Sequence, residues 1–289
     1  MPTSVRIENL HLAVDVSSLG AEMQTLSGKD GRSWLWNGDA SYWGGRSPVL
    51  FPIVGKAPGD VLSIAGHDYP IAQHGFARRN EFTLAHSTAT SCRHELAATE
   101  ATKAVYPFDF RLAVEHSLNG NTLTVSAEVI NEDARGLPFG IGFHPAFLWP
   151  LPGAEGKEHG VALDNGGEPP LAQLQGGLIK PDRLPSPFKA GRLVLKPEMF
   201  ENDALVFPKE AGSSLRYGVE GGPALRFTFE NLPNLALWTK PGAPFLCVEP
   251  WHGTAAEIGR SGDIMERPFS QMLAPGGTAR FAFTVEIPD

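Results

Sequence analysis

Cysteine is scarce. The 289 residues hold two, Cys92 and Cys247, far apart and without a CxxC spacing. That excludes a disulfide framework and a four-thiolate zinc site. Two buried free thiols are the expectation, with a single bridge as the alternative. Basic charge is also short: 24 Lys and Arg stand against 32 Asp and Glu, a formal net charge of −8. No dense run of Lys and Arg supplies the field that nucleic-acid binding needs, so no nucleic-acid partner is expected. Long apolar runs are missing too. The most apolar stretch, Pro48 to Val54, is too short and proline-broken to span a bilayer. The first residues carry Arg6, Glu8, His11 and Asp15 with no continuous apolar segment behind them. No signal peptide is therefore expected, and a soluble, cytoplasmic protein without a membrane partner is the default.

Several motifs are absent as well. No GxGxxG opens a helix, and there is no Walker loop. There is no GxSxG elbow. No HExxH or close histidine pair occurs among nine scattered histidines. Neither a cofactor nor a metal is expected on these grounds.

What is present points to strands. Apolar residues make up 42% of the chain and charged ones 19%, enough to bury a large core. Thirty-two glycines and 25 prolines interrupt it too often for long helices. From Arg111 to Asn131, Leu112, Val114 and His116 alternate with polar or small residues. After Asn119-Gly120, Leu123, Val125, Ala127 and Val129 do the same. This predicts a β-hairpin around a type I′ Asn-Gly turn. Val5 to Val16 reads as one or two strands. Arg226 to Phe229 and Leu235 to Trp238 read as strands joined by a turn, and Arg280 to Ile287 as another strand. Short helices are expected at Ala97 to Ala104 and Glu198 to Leu205. Glu155 to Pro187, rich in Gly and Pro, reads as an irregular excursion within a single domain spanning residues 1–289. The fold class expected is all-β, a large antiparallel β-sandwich.

Four segments carry chemistry. Arg46 precedes the apolar run Ser47 to Ile53, and a buried guanidinium needs an acceptor. It reads either as a structural ion pair or as a contact to a substrate hydroxyl or phosphate. His74 and Arg78 lie in Gln73 to Arg79, where polar and aromatic residues interleave. They read as turn residues or as a sugar or anion contact. His144 sits among apolar neighbours, as a core histidine or a general acid. Glu249 is the lone charge in Pro244 to Trp251, a costly position unless it is paired, protonated or catalytic. Asp203 is a weaker candidate, readable as a turn or cap residue.

Together these segments resemble the aldose 1-epimerase (galactose mutarotase-like) superfamily, and most closely its LacX-like branch. The resemblance runs over nearly the whole chain. It is carried by GGRSPVLFPIVGK at Gly44 to Lys56, QHGFAR at Gln73 to Arg78 and YPFDFRL at Tyr106 to Leu112. GFHPAF at Gly142 to Phe147, FENDAL at Phe200 to Leu205 and CVEPWHG at Cys247 to Gly253 complete it. It implies a supersandwich fold with a sugar cleft on one sheet, and an isomerase that needs no cofactor. It also implies His144 as general acid on the ring oxygen, Glu249 as general base on the anomeric hydroxyl, and Arg46, His74 and Asp203 as substrate contacts. Galactose mutarotases carry Asn where Gln73 stands. The HGFAR form is similar to that of hexose-6-phosphate epimerases, so Arg78, with Arg46 or Arg79, is a candidate phosphate contact. The partner implied is a small-molecule sugar, a hexose or a sugar phosphate, bound by a monomer or homodimer. A non-catalytic carbohydrate-binding sandwich and a metal-dependent β-barrel isomerase are the competing readings.

Overall fold

The computed structural model describes residues 2–288. Alternation of apolar and polar side chains builds two large antiparallel sheets. One has nine strands. At its centre Thr278–Glu286 pairs with Thr122–Asn131, which pairs with Phe110–Asn119. The other runs in the order Leu178–Leu184, Leu171–Gln175, Leu205–Phe207, Asn234–Trp238, Phe245–His252, Ile141–Phe143 and Val49–Leu50. Ala146–Leu148 adds to its Phe245–His252 strand. Aromatic pairs join the inner faces: Phe143 lies 5.1 Å from Phe283, Phe139 5.9 Å from Phe281 and Phe147 5.1 Å from Phe227. One buried cluster runs from Ile7 to Ile287 and fills the space between the sheets. The large antiparallel sandwich is therefore present. No helix among the described residues is long and apolar enough to cross a membrane.

The expected hairpin forms, with its turn one residue later. Asn119 pairs with Thr122, so Gly120 and Asn121 are central. Gly120 takes φ 58° and Asn121 does not follow it to positive φ, which is the II′ rather than the I′ pattern. The first segment resolves into two paired strands, Ser4–Glu8 and Leu12–Ser17. Ala224–Glu230 and Asn234–Trp238 do not form a hairpin. The turn between them, with Asn231 at φ 58°, carries the chain from one sheet to the other. The two expected helices shrink to one turn each, at Glu100–Lys103 and at Pro197–Phe200.

The excursion expected at Glu155 to Pro187 instead contains three strands, Gly160–Leu163, Leu171–Gln175 and Leu178–Leu184. The last two form a hairpin through Gly176 and Gly177, at φ 61° and 82°, a Gly-Gly I′ signature. These strands lie at a sheet edge and expose many side chains, so apolar alternation is weak in them.

Candidate active site

The strand Phe245–His252 has two faces, and period-two alternation assigns them. Leu246 and Val248 enter the core between the sheets. Phe245, Cys247, Glu249 and Trp251 point to the opposite face of the sheet. There Ala236 stands across from Glu249, Val206 across from Ala236 and Ala172 across from Val206. This run of small side chains leaves a hollow in an otherwise apolar surface. Trp251 folds over Gly142, where an added Cβ would meet the indole at 2.4 Å. The resulting cavity is about 270 Å³. That is just under the range of drug-sized sites, so it suits one small ring rather than an oligosaccharide. The Gly176-Gly177 hairpin supplies part of its wall.

His144 and Glu249 meet in this cavity, with Nε2 of one 3.2 Å from Oε2 of the other. Both are buried. Burial pushes the Glu249 carboxyl well above its ordinary value, and the charge of Asp203 adds to the shift. Burial pulls His144 down to about 3, and Arg78 pulls the same way. The two shifts make the carboxylate the better proton acceptor of the pair.

His74 is brought to the same cavity, its ring 5.7 Å from that of His144 and nearly perpendicular. Burial, and then the neighbouring His144, lowers its proton affinity far below the ordinary imidazole value. The Gly55 N–H donates to its Nδ1 at 3.1 Å, so a neutral ring carries its proton on Nε2. The Gln73 amide lies 3.3 Å from that Nε2 and must present its oxygen there to accept. The loop is fixed from below. Phe76 and Ala77 both donate N–H groups to the Phe51 carbonyl. Gly75, at φ 70°, passes so close to it that a Cβ would lie 2.2 Å from the oxygen. His74 itself sits at φ 66° and Asp203 at φ 80°. Two non-glycine residues in the left-handed region thus face one cavity, a conformation retained where the surrounding structure enforces it.

Three cavity-lining residues carry buried polar atoms without a hydrogen bond, Arg78 Nε, His144 Nδ1 and Trp251 Nε1, and Glu249 Oε2 faces His144 Nε2 without one of regular geometry. Such atoms are normally bonded. The profile of the family described as Aldose 1-epimerase matches residues 3–267. The chain belongs to the aldose 1-epimerase family. It is 29% identical to Protein LacX (chromosomal) of Lactococcus lactis subsp. lactis over 298 aligned positions, covering 98% of this chain and 99% of the relative. The X-ray structure of a galactose mutarotase related enzyme from Lactobacillus acidophilus matches with TM-score 0.94 at 27% identity, over 99% of this chain and 98% of that one. A galactose mutarotase-like protein from Lactobacillus casei matches with TM-score 0.92 at 25% identity, over 99% and 100%.

In this aldose 1-epimerase family member, five of the six residues singled out from the sequence, His74, Arg78, His144, Asp203 and Glu249, line the cavity. Arg46 does not. Its guanidinium donates to the Asn37 carbonyl at 2.8 Å and to the Gln24 side chain, and its backbone N–H to Glu22. The reason for singling it out, a buried guanidinium needing acceptors, applies instead to Arg267. That side chain is buried and donates to the carbonyls of Lys56, Val54 and Thr254. It clamps the backbone on either side of Gly55 and beside Ala255, both cavity residues. Trp43 and Trp238 were also not foreseen. Trp43 lies over His144, ring centres 4.9 Å apart and 33° from parallel, with Trp238 edge-on at 5.6 Å. For Trp238 a signal existed: in Leu235 to Trp238 the leucines face the core, so Ala236 and Trp238 share the face of Glu249.

Proposed function

We propose that the protein interconverts the α and β anomers of a free hexose, with residues 1–289 acting as a single domain. The observation that carries this reading is the His144–Glu249 pair, 3.2 Å apart in a cavity sized for one ring. Mutarotation opens a cyclic hemiacetal and closes it on the other face. Glu249, ionised, takes the proton of the anomeric hydroxyl while His144, protonated, gives one to the ring oxygen as the C1–O5 bond breaks. The two oxygens sit on one carbon, so an acid and a base in near contact can reach both. After opening, the carboxyl holds the proton and the imidazole is neutral. Rotation about C1–C2 presents the other face of the aldehyde, and the reverse transfers close the ring.

This charged starting arrangement lies above the neutral pair, whose proton sits on Glu249, so the proton must first pass to His144. A buried site disfavours both charged forms, so moving a proton from His144 to Glu249 relieves charge as the ring opens. Each positioned group is worth roughly 10²–10⁴ in rate. Trp43, Trp238 and Trp251 offer aromatic surface to the apolar face of a pyranose, and His74, Arg78 and Asp203 offer polar contacts to its hydroxyl edge. A free hexose fits better than its phosphate. Arg78 is the one guanidinium lining the cavity among the described residues, and the Asp203 carboxylate stands in the same cavity.

Anomer exchange followed by NMR or polarimetry across a panel of free and phosphorylated hexoses tests the reading. Catalysis of at least one free hexose is expected, with Glu249→Gln and His144→Ala each lowering the rate about 10²-fold or more. Activity untouched by either substitution, or sugar binding without rate acceleration, overturns it.

A further inference from the structure

Cys247 has no part in that chemistry, yet the fold delivers it to the catalytic pair. It stands two residues before Glu249 on the same face of the strand, opposite Ala146 and Trp238. The segment from His144 to Ala146 runs alongside, and the Pro145 carbonyl accepts the Val248 N–H at 3.1 Å. One donor atom each from His144, Cys247 and Glu249 consequently lies within 4.8 Å of the other two. All three residues are buried, and the thiol is free. A second observation points the same way: Glu249 Oε2 is buried 3.2 Å from His144 Nε2 without a hydrogen bond of regular geometry.

Sulfur, imidazole nitrogen and carboxylate oxygen form a donor set suited to zinc. Zn²⁺ takes such ligands tetrahedrally at about 2.0–2.3 Å, which places neighbouring donors about 3.3–3.8 Å apart. The donor atoms of the trio lie within 4.8 Å of one another, close to that spacing. A hard cation such as Mg²⁺ seeks an oxygen shell and finds a single carboxylate in the trio. His144 and Glu249 border the cavity, so a fourth coordination position can open to water.

We propose that His144, Cys247 and Glu249 form a binding site for a thiophilic divalent cation of the Zn²⁺ type, and that occupancy switches the acid–base pair off. The ion takes the lone pairs that proton transfer requires. The first half of the proposal stands on the donor geometry alone; the second rests on the mutarotase reading above.

Cobalt(II) titration of the metal-free full-length protein reads the site directly, without turnover. A thiolate-to-cobalt absorption band saturating at one ion per chain, displaced by Zn²⁺ and unaffected by excess Mg²⁺, is expected. Cys247→Ser and Cys247→Ala should each abolish the band and weaken Zn²⁺ binding about tenfold or more. Two variants are used because a hydroxyl in this apolar surrounding risks misfolding, whereas alanine does not. A missing band in the parent protein, or a band that persists in both variants, overturns the site. Zn²⁺ should inhibit anomer exchange with the same stoichiometry, and less so in the variants, each scored against its own metal-free rate. Zn²⁺ bound without inhibition of a turning-over enzyme overturns the switch. A cobalt band in a protein that turns over no sugar leaves the site standing and removes the mutarotase reading instead.

Discussion

His144 Nε2 lies 3.2 Å from Glu249 Oε2, and burial shifts the two groups in opposite directions. The single-proton state of the pair is the competent one whichever side holds the proton. On the acid side, activity is lost when a second proton enters His144, which is held down to about 3. On the alkaline side it is lost when the proton leaves Glu249, which is held well above its ordinary value. The profile of kcat/KM against pH should lack the inflection near 6.5 of an ordinary imidazole, because His144 does not take up its proton there. An inflection there that vanishes in His144→Gln would contradict the pairing.

Glu249 should also lower stability. Its folded-state proton affinity is raised above the ordinary 4.5. Its contribution to stability is thus complete below that value and is lost as pH rises through it toward the folded-state value. Glu249→Gln removes the penalty. Thermal unfolding should show the variant melting a few degrees above the parent at pH 7, with the gap closing toward pH 4. Equal melting temperatures at pH 7 would argue against a strained, buried acid.

Gly75→Ala tests the loop that holds His74. The new Cβ meets the Phe51 carbonyl at 2.2 Å in a left-handed residue. A loss of about 2–3 kcal/mol and a tenfold or greater fall in kcat are expected. Gly66→Ala is the control: the same backbone region at φ 79°, with open space around it, should cost about 1 kcal/mol and leave kcat alone. Denaturant midpoints and initial rates on both variants separate clash from strain.

Arg46 and Arg78 should behave differently. Arg78 lines the cavity with a buried, unpartnered Nε, so Arg78→Ala should raise KM about tenfold. Arg46→Ala loses contacts to Asn37 and Gln24 away from the cavity and should shift denaturation midpoints more than KM. Steady-state kinetics on the two variants decide the matter. A KM effect larger for Arg46 would reassign the sugar contact to it.

Wherever burial left a one-sided pattern, the sequence was readable. Phe281, Phe283 and Val285 face the core as their spacing implies, and Glu249 stood out as a charge amid apolar neighbours. The four chemical segments could be picked out singly from their residues, and resemblance supplied their joint role. The hairpin that walls the cavity, at Leu171–Gln175 and Leu178–Leu184, was obscured because an edge strand need not alternate. Arg46 drew attention through its apolar neighbours in sequence, whereas Arg267 has its acceptors in residues brought near only by folding. Trp43 lies in a loop, and no local period announces which side chain a loop residue will cover.

The strand Phe245–His252 separates two kinds of information on alternate positions. Even-numbered Leu246 and Val248 face the interior of the sandwich, and odd-numbered Glu249 and Trp251 face the cavity, with Cys247 beside them on the same side. New specificities can thus be written on the odd set while the even set keeps the architecture. Sliding the strand by a single residue would exchange the two alphabets and forfeit both at once.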